Sequence, residues 1–487
     1  MVRSMQANRS MKTTPKADVK IDGSLDAALL GLRALLEDRR VQNRKPGGSF
    51  ADFEKKVHAA VMGVERAVLK DELERADADV DVVYLDGVRF RRVLRSHQTY
   101  MTVAGEVRVL RSLFKDRTAD HEAAICPMEL RTGIVEGFWT PAAAELGVWV
   151  VSQMTPQKAE ELCERTGNMK PSKASFDRLP KDVGRTWEEN RLEFEEALRA
   201  TLEVPRDAAT LVVSLDGVYA PMVGTDPVGT RREAAEAGKI AKGPAGYREV
   251  GCATVSFCAP KGELLAAIRF GRMPESKKLT LKDMLSAEAN RALLLRPDLR
   301  LVALADGQDD NWDYLEKQYP RAVFILDFFH AAEHLGAAIA AVYGDGSVEA
   351  RRRFADLRHV LLEDQAGVGK VIRALDYLRK KNPSIKKVAQ VLAYVRKNRS
   401  KMQYATWRDQ GLPIGSGVVE AACKTLVTQR MKNSGMRWGK EGGQAVLTVR
   451  GWTQSDRFDE AWALLAAEYQ AEVTLLNNVV PFRPRAA

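Results

Sequence analysis

Short apolar runs separated by polar, glycine-containing segments occupy the middle of the chain. Runs of this length predict buried strands, and helical spacing of apolar residues predicts helices near 280–294 and 310–318. Three strands that can form a meander, followed by strands that alternate with helices, indicate a mixed five-stranded sheet in an α/β fold. The strands are predicted at 211–216, 249–258, 262–270, 300–305 and 322–327.

The N-terminal part of the chain shows two other patterns. Helical apolar spacing predicts helices over 24–76, after a polar and disordered start at 1–20. Asp86-Gly87 between two β-rich runs predicts a tight hairpin, and a second hairpin is predicted with its turn near Gly105. The two hairpins contain six arginines, which indicate either a solvated face or a surface that contacts a polyanion. They are Arg89, Arg91, Arg92, Arg95, Arg108 and Arg111.

The region after the hairpins has helical spacing. Thr155 is a candidate N-cap, and Gly167 is the expected end of its helix. A second helix is predicted over 172–179, with exposed Lys173 and Arg178 as candidate DNA contacts. Helix, glycine turn and helix are typical of a helix-turn-helix, and an ordinary pair of packed helices explains the pattern about as well.

These elements divide the chain into six expected regions. The long helical stretch after the last predicted strand exceeds any loop, so it predicts an inserted helical unit. The regions are a disordered start with helices at 1–76, an arginine-rich β region at 77–138, a helical candidate DNA-binding region at 139–205, the first part of the sheet domain at 206–328, a helical insertion at 329–410, and the Glu420 helix with C-terminal helices at 411–487.

The composition fits a globular protein with a polyanionic partner. The chain has 487 residues, 45% of them apolar, a formal net charge of +10 and a pI near 9.2. Such a charge favours nucleic acid as a partner without specifying a fold. No stretch approaches the roughly 20 apolar residues of a membrane span, and no hydrophobic signal segment is evident. Five scattered cysteines without a CxxC pair indicate neither a zinc site nor a disulfide framework, so a reducing cytoplasm is expected.

Three acidic residues lie where predicted elements end or begin. Asp216 and Asp306 each follow an apolar strand and precede a glycine, and Glu420 opens a helix-like stretch after a Gly-Ser-Gly segment. Carboxylates on strand, strand and helix suit a site with two Mg²⁺ or Mn²⁺ ions for phosphoryl transfer. Taken singly, each has an ordinary alternative, because Asp-Gly is common in turns and an acid is favoured in the first turn of a helix.

A second unusual pattern follows the last predicted strand. Asp327 ends that strand, and His330 and His334 share one helix face at i, i+4. Metal ligation by these three side chains is one reading of the pattern. A role in orienting the neighbouring carboxylates through hydrogen bonds is favoured over it.

Taken together, these motifs resemble bacterial insertion-sequence transposases of the Kra type, which are related to the mutator-like DDE transposases. The resemblance covers roughly residues 80–480. It rests on Asp216-Gly217-Val218, on Asp306-Gly307 followed by Trp312, on Asp327-Phe328-Phe329-His330 with Glu333-His334-Leu335, and on Ile414-Gly415-Ser416-Gly417 with Glu420.

The resemblance implies a ribonuclease-H-like core with an all-helical insertion, and catalysis by Asp216, Asp306 and Glu420. The predicted strand order agrees, since a ribonuclease-H-like sheet lays its first and fourth strands side by side and so brings the two aspartates together. One departure from the family pattern leaves Asp309 and Asp310 as alternatives for the second ligand. The position at the strand end favours Asp306.

Two acid-free segments near Glu420 carry much of the positive charge. The first runs from Tyr377 to Arg408 with ten Lys and Arg residues, and the second runs from Lys424 to Lys440. The length of these acid-free runs favours contact with DNA phosphates. The alternative is a solvent-exposed helical surface without a DNA partner. The candidate DNA contacts in the second segment are Lys424, Arg430, Lys432, Arg437 and Trp438. Gln429, Arg430 and Asn433 are candidates for orienting the scissile phosphate. Trp438 either stacks on an unpaired base or packs in the core.

The sequence therefore predicts a metal-dependent DNA transposase that binds element ends, cleaves the strands and joins the new 3′-hydroxyls to target DNA. Two ends must be cut together, so a homo-oligomer, a dimer, is expected. No membrane and no small-molecule substrate are expected as partners. The alternatives are a ribonuclease-H-like nuclease that does not join strands and a DNA-binding regulator that has lost its chemistry.

Overall fold

The computed structural model describes residues 23–42, 49–116, 124–224, 231–232, 235–236, 243–433 and 435–475. The predicted disordered start at 1–20 lies outside the described residues. The chain divides into two compact units. Unit 1 comprises Met1–Ala143, Leu162–Pro171 and Gln470–Ala487, and unit 2 comprises Ala144–Glu161 and Ser172–Tyr469.

Unit 1 contains a four-stranded antiparallel sheet. Its strands are β1 (Val82–Leu85), β2 (Val88–Thr102), β3 (Gly105–Lys115) and β9 (Val473–Leu475), in the order β3-β2-β1-β9. Both predicted hairpins are confirmed, and Asp86 and Gly87 form the first turn with φ of 50° and 79°. The short strand β9 was not predicted, because three residues are too few to show alternation. The helices are α1 (Gly23–Gln42), α2 (Phe50–Ala76) and α3 (Pro127–Thr132).

Alternate residues of β3 are buried, as the two-residue period of a strand requires. Val107 and Val109 pack with Leu73 of α2 in one apolar cluster. Three of the six arginines of this sheet are committed to acids of the same unit: Arg92 to Asp79 and Asp81, Arg95 to Asp77, and Arg111 to Glu129. The exposed arginines that remain for the expected polyanion are Arg89, Arg91 and Arg108.

Unit 2 contains a five-stranded mixed sheet. Its strands are β4 (Thr210–Pro221), β5 (Tyr247–Cys258), β6 (Leu264–Arg272), β7 (Arg300–Ala305) and β8 (Val323–Leu326), in the order β6-β5-β4-β7-β8. β4, β5 and β6 pair antiparallel, whereas β7 is parallel to β4 and β8 is parallel to β7. All five predicted strands are confirmed, and so is the expectation that the first and fourth lie side by side.

Helices surround this sheet. Two of the helices given below, α4 and α5, contain a boundary between the units. No described helix is both long and apolar enough to cross a membrane. The helices are α4 (Pro141–Gln153), α5 (Pro156–Thr166), α6 (Lys173–Glu189), α7 (Arg191–Ala200), α8 (Leu279–Leu295), α9 (Asp309–Gln318), α10 (Phe328–Tyr343), α11 (Val348–Glu363), α12 (Gly367–Lys381), α13 (Lys386–Lys397), α14 (Tyr404–Asp409), α15 (Gly417–Ala422), α16 (Gln429–Met431), α17 (Lys440–Gln454) and α18 (Phe458–Ala467), with a π-helical turn at Cys423–Thr428.

The central strands are buried on both faces, which explains their continuous apolar runs. Leu211 and Val213 of β4 share one core with Leu285 of α8. Helices from the long stretch between β8 and Glu420 join the same core, through Leu375 of α12 and Val391 of α13. The stretch is therefore a packed helical layer of unit 2.

The boundaries of α5 and α6 test the local sequence signals. The Thr155 hydroxyl accepts the N–H of Lys158 at 3.2 Å, and α5 ends before Gly167, whose φ is 75°. α6 runs to Glu189, well beyond the predicted end at 179, and contains Pro180. Its buried apolar face outweighs the loss of one backbone hydrogen bond at the proline. The helix-turn-helix role stays a prediction.

Gly184 of α6 lies against Ala445 of α17, where an added Cβ would be 2.5 Å from the Ala445 Cβ. Gly184→Ala is expected to lower the free energy of unfolding by about 1–3 kcal/mol, because the two helices would be forced apart. Denaturant titration followed by circular dichroism measures the change. Gly369→Ala in α12 is the control, since only the flexible Arg373 side chain lies near it, at 3.7 Å. Equal effects of the two substitutions would contradict the tight contact.

Candidate active site

Asp216 and Asp306 occupy equivalent positions on two neighbouring parallel strands. The last residues that the register pairs are Leu215 and Ala305, so Asp216 is the next residue of β4 and Asp306 directly follows the end of β7. The prediction that Asp216 ends its strand is wrong, because β4 continues to Pro221 in pairing with β5. What ends at Asp216 is the pairing with β7. The two carboxylates therefore lie at the point where the parallel strands separate.

The Asp216 carboxylate is half-buried and close to a second negative charge. Its Oδ1 accepts the N–H of Gly217 at 2.6 Å, and the Cys423 thiol donates to its Oδ2 at 3.5 Å. Burial raises the pKa of Asp216, and the charge of Asp306 raises it further, against the lowering effect of the Gly217 hydrogen bond. This arrangement is unfavourable for an ionised carboxylate unless a cation is added.

No described cation forms an ion pair with either aspartate, although the charge of Lys278 lowers the pKa of Asp216. Lys278 comes near, but its ammonium pairs with Glu249 at 2.9 Å and reaches only the backbone oxygen of Asp216, at 3.5 Å. Among the ion pairs of the described residues, none includes the carboxylate of Asp216 or Asp306. The pair is thus a local excess of negative charge in a basic protein.

The start of α9 orients Asp306. Oδ1 of Asp306 accepts the N–H of Gln308 at 3.1 Å and lies 3.5 Å from the Asn311 amide nitrogen. The backbone oxygen of Asp306 accepts the indole N–H of Trp312 at 2.6 Å. The alternative second ligand Asp309 is exposed and pairs with Lys397 at 2.5 Å. The geometry therefore favours Asp306 over Asp309.

The glycines that follow the two aspartates are not turn glycines, since neither has a positive φ. A Cβ at Gly217 would collide with the Glu249 side chain, and a Cβ at Gly307 would lie 2.6 Å from the Tyr394 ring. Both positions exclude a side chain because another residue packs directly against the backbone. This explains the two Asp-Gly pairs better than the turn alternative does.

Glu420 lies in the first turn of α15, is exposed, and accepts the Ser416 hydroxyl on Oε1 at 2.6 Å. The following turn of the same helix brings Cys423 to Asp216. Within the described residues, no three His, Cys, Asp or Glu side chains form a cluster that could hold a metal ion. The structure thus brings Asp216 and Asp306 together, and the side chain of Glu420 does not complete a ligand cluster with them.

The available donors nevertheless fit a hard divalent cation. Asp216 and Asp306 supply adjacent carboxylate oxygens with no described cationic partner, and Mg²⁺ or Mn²⁺ prefers oxygen ligands. Two carboxylates are enough for Mg²⁺ when substrate phosphate and water complete its coordination. The metal site itself stays a prediction.

Asp327 has a capping role. It is fully buried, its Oδ1 accepts the His330 N–H at 2.6 Å, and its Oδ2 accepts the N–H of Ser416. It thereby caps α10 and holds the segment that leads into the Glu420 helix. Because both oxygens are used and buried, the structure favours this orienting role over metal ligation.

The two histidines pack against aromatic groups. The rings of His330 and His334 lie 4.9 Å apart, and His334 lies 4.3 Å from the ring of Tyr394. Burial and the neighbouring His330 lower the pKa of His334. His334 thus supports Tyr394, which in turn contacts the backbone beside Asp306.

The predicted DNA contacts differ in accessibility. Arg430 is only 3% exposed, and its guanidinium donates to the Val151 carbonyl and lies over the Trp438 ring at 4.9 Å. This position argues against the predicted phosphate contact of Arg430. Trp438 is half-buried, with one face covered by Arg430. The remaining candidates are exposed: Lys424, Lys432, Arg437, Lys173 and Arg178, as are Gln429 and Asn433.

The basic residues of the first acid-free segment, Tyr377 to Arg408, form ion pairs with acidic residues from other parts of the chain. Asp376 pairs with three of its residues, and Asp309, Glu316 and Glu363 each pair with one more. By contrast, no described ion pair involves Lys424, Lys432 or Arg437. The second segment therefore offers more uncompensated charge to DNA.

Three residues at the site were not predicted. Cys423 lies three residues after Glu420, so helical spacing from Glu420 could have identified it. Lys278 and Tyr394 give no such signal, because only tertiary packing brings them to the two aspartates.

Asp216→Asn is expected to raise the melting temperature at neutral pH in metal-free buffer, because it removes a half-buried charge beside Asp306. The folded-state pKa of Asp216 is raised, so the advantage should vanish as the pH falls through that pKa and the wild-type carboxyl becomes neutral. Differential scanning fluorimetry across pH measures it.

The control for this prediction is Asp298→Asn, because a hydrogen bond from Arg296 lowers the pKa of that exposed acid. It should not stabilise the protein. Added Mg²⁺ should stabilise the wild type more than Asp216→Asn, since a ligand that binds only the folded state raises its stability. A destabilising Asp216→Asn in chelator would contradict the electrostatic account.

Comparison with known proteins leaves the family open. No protein-family model matches the chain, and no curated protein matches it. Four chains of solved structures match, among them one from the Drosophila P element transposase strand transfer complex, at 11% identity and a TM-score of 0.26. That match covers 71% of this chain and 85% of the other. A similarity this weak assigns neither a family nor a function.

Proposed function

We propose that this protein is a DDE-type DNA transposase similar to the Kra-type insertion-sequence enzymes, with Asp216, Asp306 and Glu420 as its catalytic acids. The observation that carries the proposal is the pair of aspartates at the separation of β4 and β7. Two neighbouring carboxylates without a described cationic partner are unfavourable unless a proton or a cation neutralises one of them. A divalent cation and a DNA phosphate would supply what the pair lacks.

The sheet supports the same proposal. The order β6-β5-β4-β7-β8, with three antiparallel strands followed by two parallel ones, is the arrangement expected for a ribonuclease-H-like core. Open sheets with parallel strands bind ligands beyond the carboxyl ends of those strands. Asp216 and Asp306 lie at that end of the parallel pairing.

The side chains divide the proposed chemistry among them. Asp216 and Asp306 would hold Mg²⁺ or Mn²⁺, which would supply the activation of water or a 3′-hydroxyl and the stabilisation of the leaving oxygen. Glu420 would join the ligand set only by turning its carboxylate from the Ser416 hydroxyl, which it accepts in this structure, towards the two aspartates. Asn311 and the Gln308 N–H keep the Asp306 carboxylate oriented, and Asp327 holds the chain before α15. Exposed Lys424, Lys432 and Arg437 bind the DNA backbone.

The proposed partners follow from this chemistry. Element ends and target are double-stranded DNA, and cleavage of two ends together favours a homodimer. The proposed location is the bacterial cytoplasm, at the nucleoid. A nuclease that does not join strands shares the same carboxylates, so a gel assay for joined product separates the two functions.

Asp216→Ala, Asp306→Ala and Glu420→Ala are each expected to abolish strand cleavage and joining while end binding persists, because each removes a metal ligand and leaves the basic surface intact. A labelled element-end duplex reports cleavage and joining on a denaturing gel, and a mobility shift reports binding. Asp309→Ala is the matched control, since Asp309 pairs with Lys397 outside the proposed site.

Cleavage should also require Mg²⁺ or Mn²⁺ and stop in chelator. Wild-type joining by any of the three variants, or undiminished cleavage in chelator, would refute the assignment of the catalytic acids.

Lys432→Gln and Arg437→Gln are each expected to weaken DNA binding and to reduce the slope of log affinity against log salt by about one, because each removes one phosphate contact. Fluorescence anisotropy at several salt concentrations measures the slope. Arg430→Gln is the contrasting variant, because its buried guanidinium binds the Val151 carbonyl. It should lower folding stability and leave the slope of the folded protein unchanged, so a reduced slope would restore Arg430 as a phosphate contact.

A further inference from the structure

The helix that carries Glu420 changes its geometry after two turns. α15 leads into the π-helical turn at Cys423–Thr428, and α16 follows without a break. A π-helical turn contains an extra residue and interrupts the i to i+4 hydrogen-bond ladder. A backbone carbonyl that loses its i+4 partner there needs another donor, because a buried carbonyl without a hydrogen bond is destabilising.

Side chains supply those donors. The Thr425 hydroxyl donates to the Ala421 carbonyl at 2.7 Å, and the Thr428 hydroxyl lies 3.3 Å from the Cys423 carbonyl. Arg450 of α17 serves two further carbonyls, since its Nε donates to Leu426 at 3.1 Å and its Nη2 donates to Thr425. Four carbonyls in and next to the π-helical turn thus accept side-chain hydrogen bonds, and two of these bonds come from Arg450.

Arg450 is well suited to hold this turn. It is only 4% exposed, and its third nitrogen, Nη1, donates to the Ser152 carbonyl at 2.5 Å at the C-terminal end of α4. Burial lowers its pKa, and no described ion pair includes it. The carbonyls at a helix C-terminus carry partial negative charge that compensates a cation. A planar guanidinium fixes the directions of its bonds, which an ammonium does not.

Arg430 holds the other end of the same segment. Its Nε and Nη2 donate to the Val151 carbonyl at 3.3 and 3.2 Å, next to the carbonyl that Arg450 binds. The part of the helix after the π-helical turn is therefore anchored to α4. The part before the turn contains Glu420, and its rotation about the helix axis relative to α16 depends on the geometry of the turn.

We propose that Arg450 is a positioning residue that keeps the π-helical turn open and thereby directs Cys423 to Asp216 and Glu420 to the same side of its helix. This inference rests on the proposed function, in which Asp216 and Glu420 serve one site. If the turn closed to α-helix, the residues before it would rotate by about 100° and shift by about 1.5 Å relative to α16, which is the step of one helical residue. Cys423 would then leave Asp216.

Thiol labelling tests the inference without any activity assay. All five cysteines, which lie in the described part of the chain, are buried and free. In Arg450→Met, which preserves bulk but removes all donors, Cys423 should lose its protection against a thiol reagent while Cys126, Cys163 and Cys258 stay protected, as mapped by peptide mass spectrometry. Cys252 is left out of the comparison, because it is a direct neighbour of Cys423. Arg450→Lys keeps the charge and should give partial loss. Arg296→Met is the control, because Arg296 also binds backbone carbonyls, at 206 and 208, away from this helix.

Activity is the second readout. Cleavage by Arg450→Met should fall by on the order of a hundredfold with a raised Mn²⁺ requirement, because displacement of a site group by about 1 Å has effects of that size. End binding should persist. Arg450→Lys should recover part of the loss, and Arg296→Met should cleave as the wild type does.

The outcomes separate the inference from the proposed function. Protected Cys423 in both Arg450 variants, or exposed Cys423 with wild-type cleavage, would overturn the positioning role while Asp216-dependent cleavage stands. If Arg450→Met exposes all five cysteines, that variant has unfolded. The labelling of Cys423 in Arg450→Lys then decides whether the positioning role stands. A wild type without metal-dependent cleavage would overturn the proposed function, and selective labelling of Cys423 would still support the control of this helix by Arg450.

Discussion

The repulsion between Asp216 and Asp306 is the constraint on which the rest of the site depends. The parallel register of β4 and β7 places the two aspartates at equivalent positions, so the separation of their backbones is set by the sheet. Burial raises the pKa of Asp216 and so increases the energetic cost of its charged form beside Asp306. A protein retains such an arrangement where the unfavourable charge is part of a function, and the surrounding contacts have to hold it in place.

Those contacts are made mainly from outside the two strands. Tyr394 from α13 lies directly against Gly307, and Glu249 from β5 lies against Gly217. A side chain at Gly217 would have to displace Glu249, and one at Gly307 would have to displace Tyr394. The helical layer between β8 and Glu420 therefore acts on the site through Tyr394 as well as connecting the chain, and this explains why it shares the core of the sheet.

The sequence was sufficient where a signal is local or periodic. The five strands, the Asp86-Gly87 hairpin and the adjacency of the two aspartates follow from apolar runs, turn chemistry and strand order. It was insufficient where packing decides. Pro180 does not stop α6, because the apolar face around it is buried. Arg430 appeared as a surface cation, because a run of basic residues does not show which of them points into the core.

Positive charge in this protein therefore has two physically different uses that look alike in sequence. Arg430 and Arg450 are buried on the carbonyls at the end of α4 and fix the helix of Glu420, so DNA cannot reach their guanidiniums without unfolding. Lys432 and Arg437 on the same segment are exposed and make no ion pair within the described residues. Buried Arg430 is followed by exposed Lys432 and Arg437 and then by buried Arg450, so cations of both kinds lie close together in the chain after Glu420. The candidate DNA surface and the support of a candidate catalytic acid therefore come from the same C-terminal part of the chain.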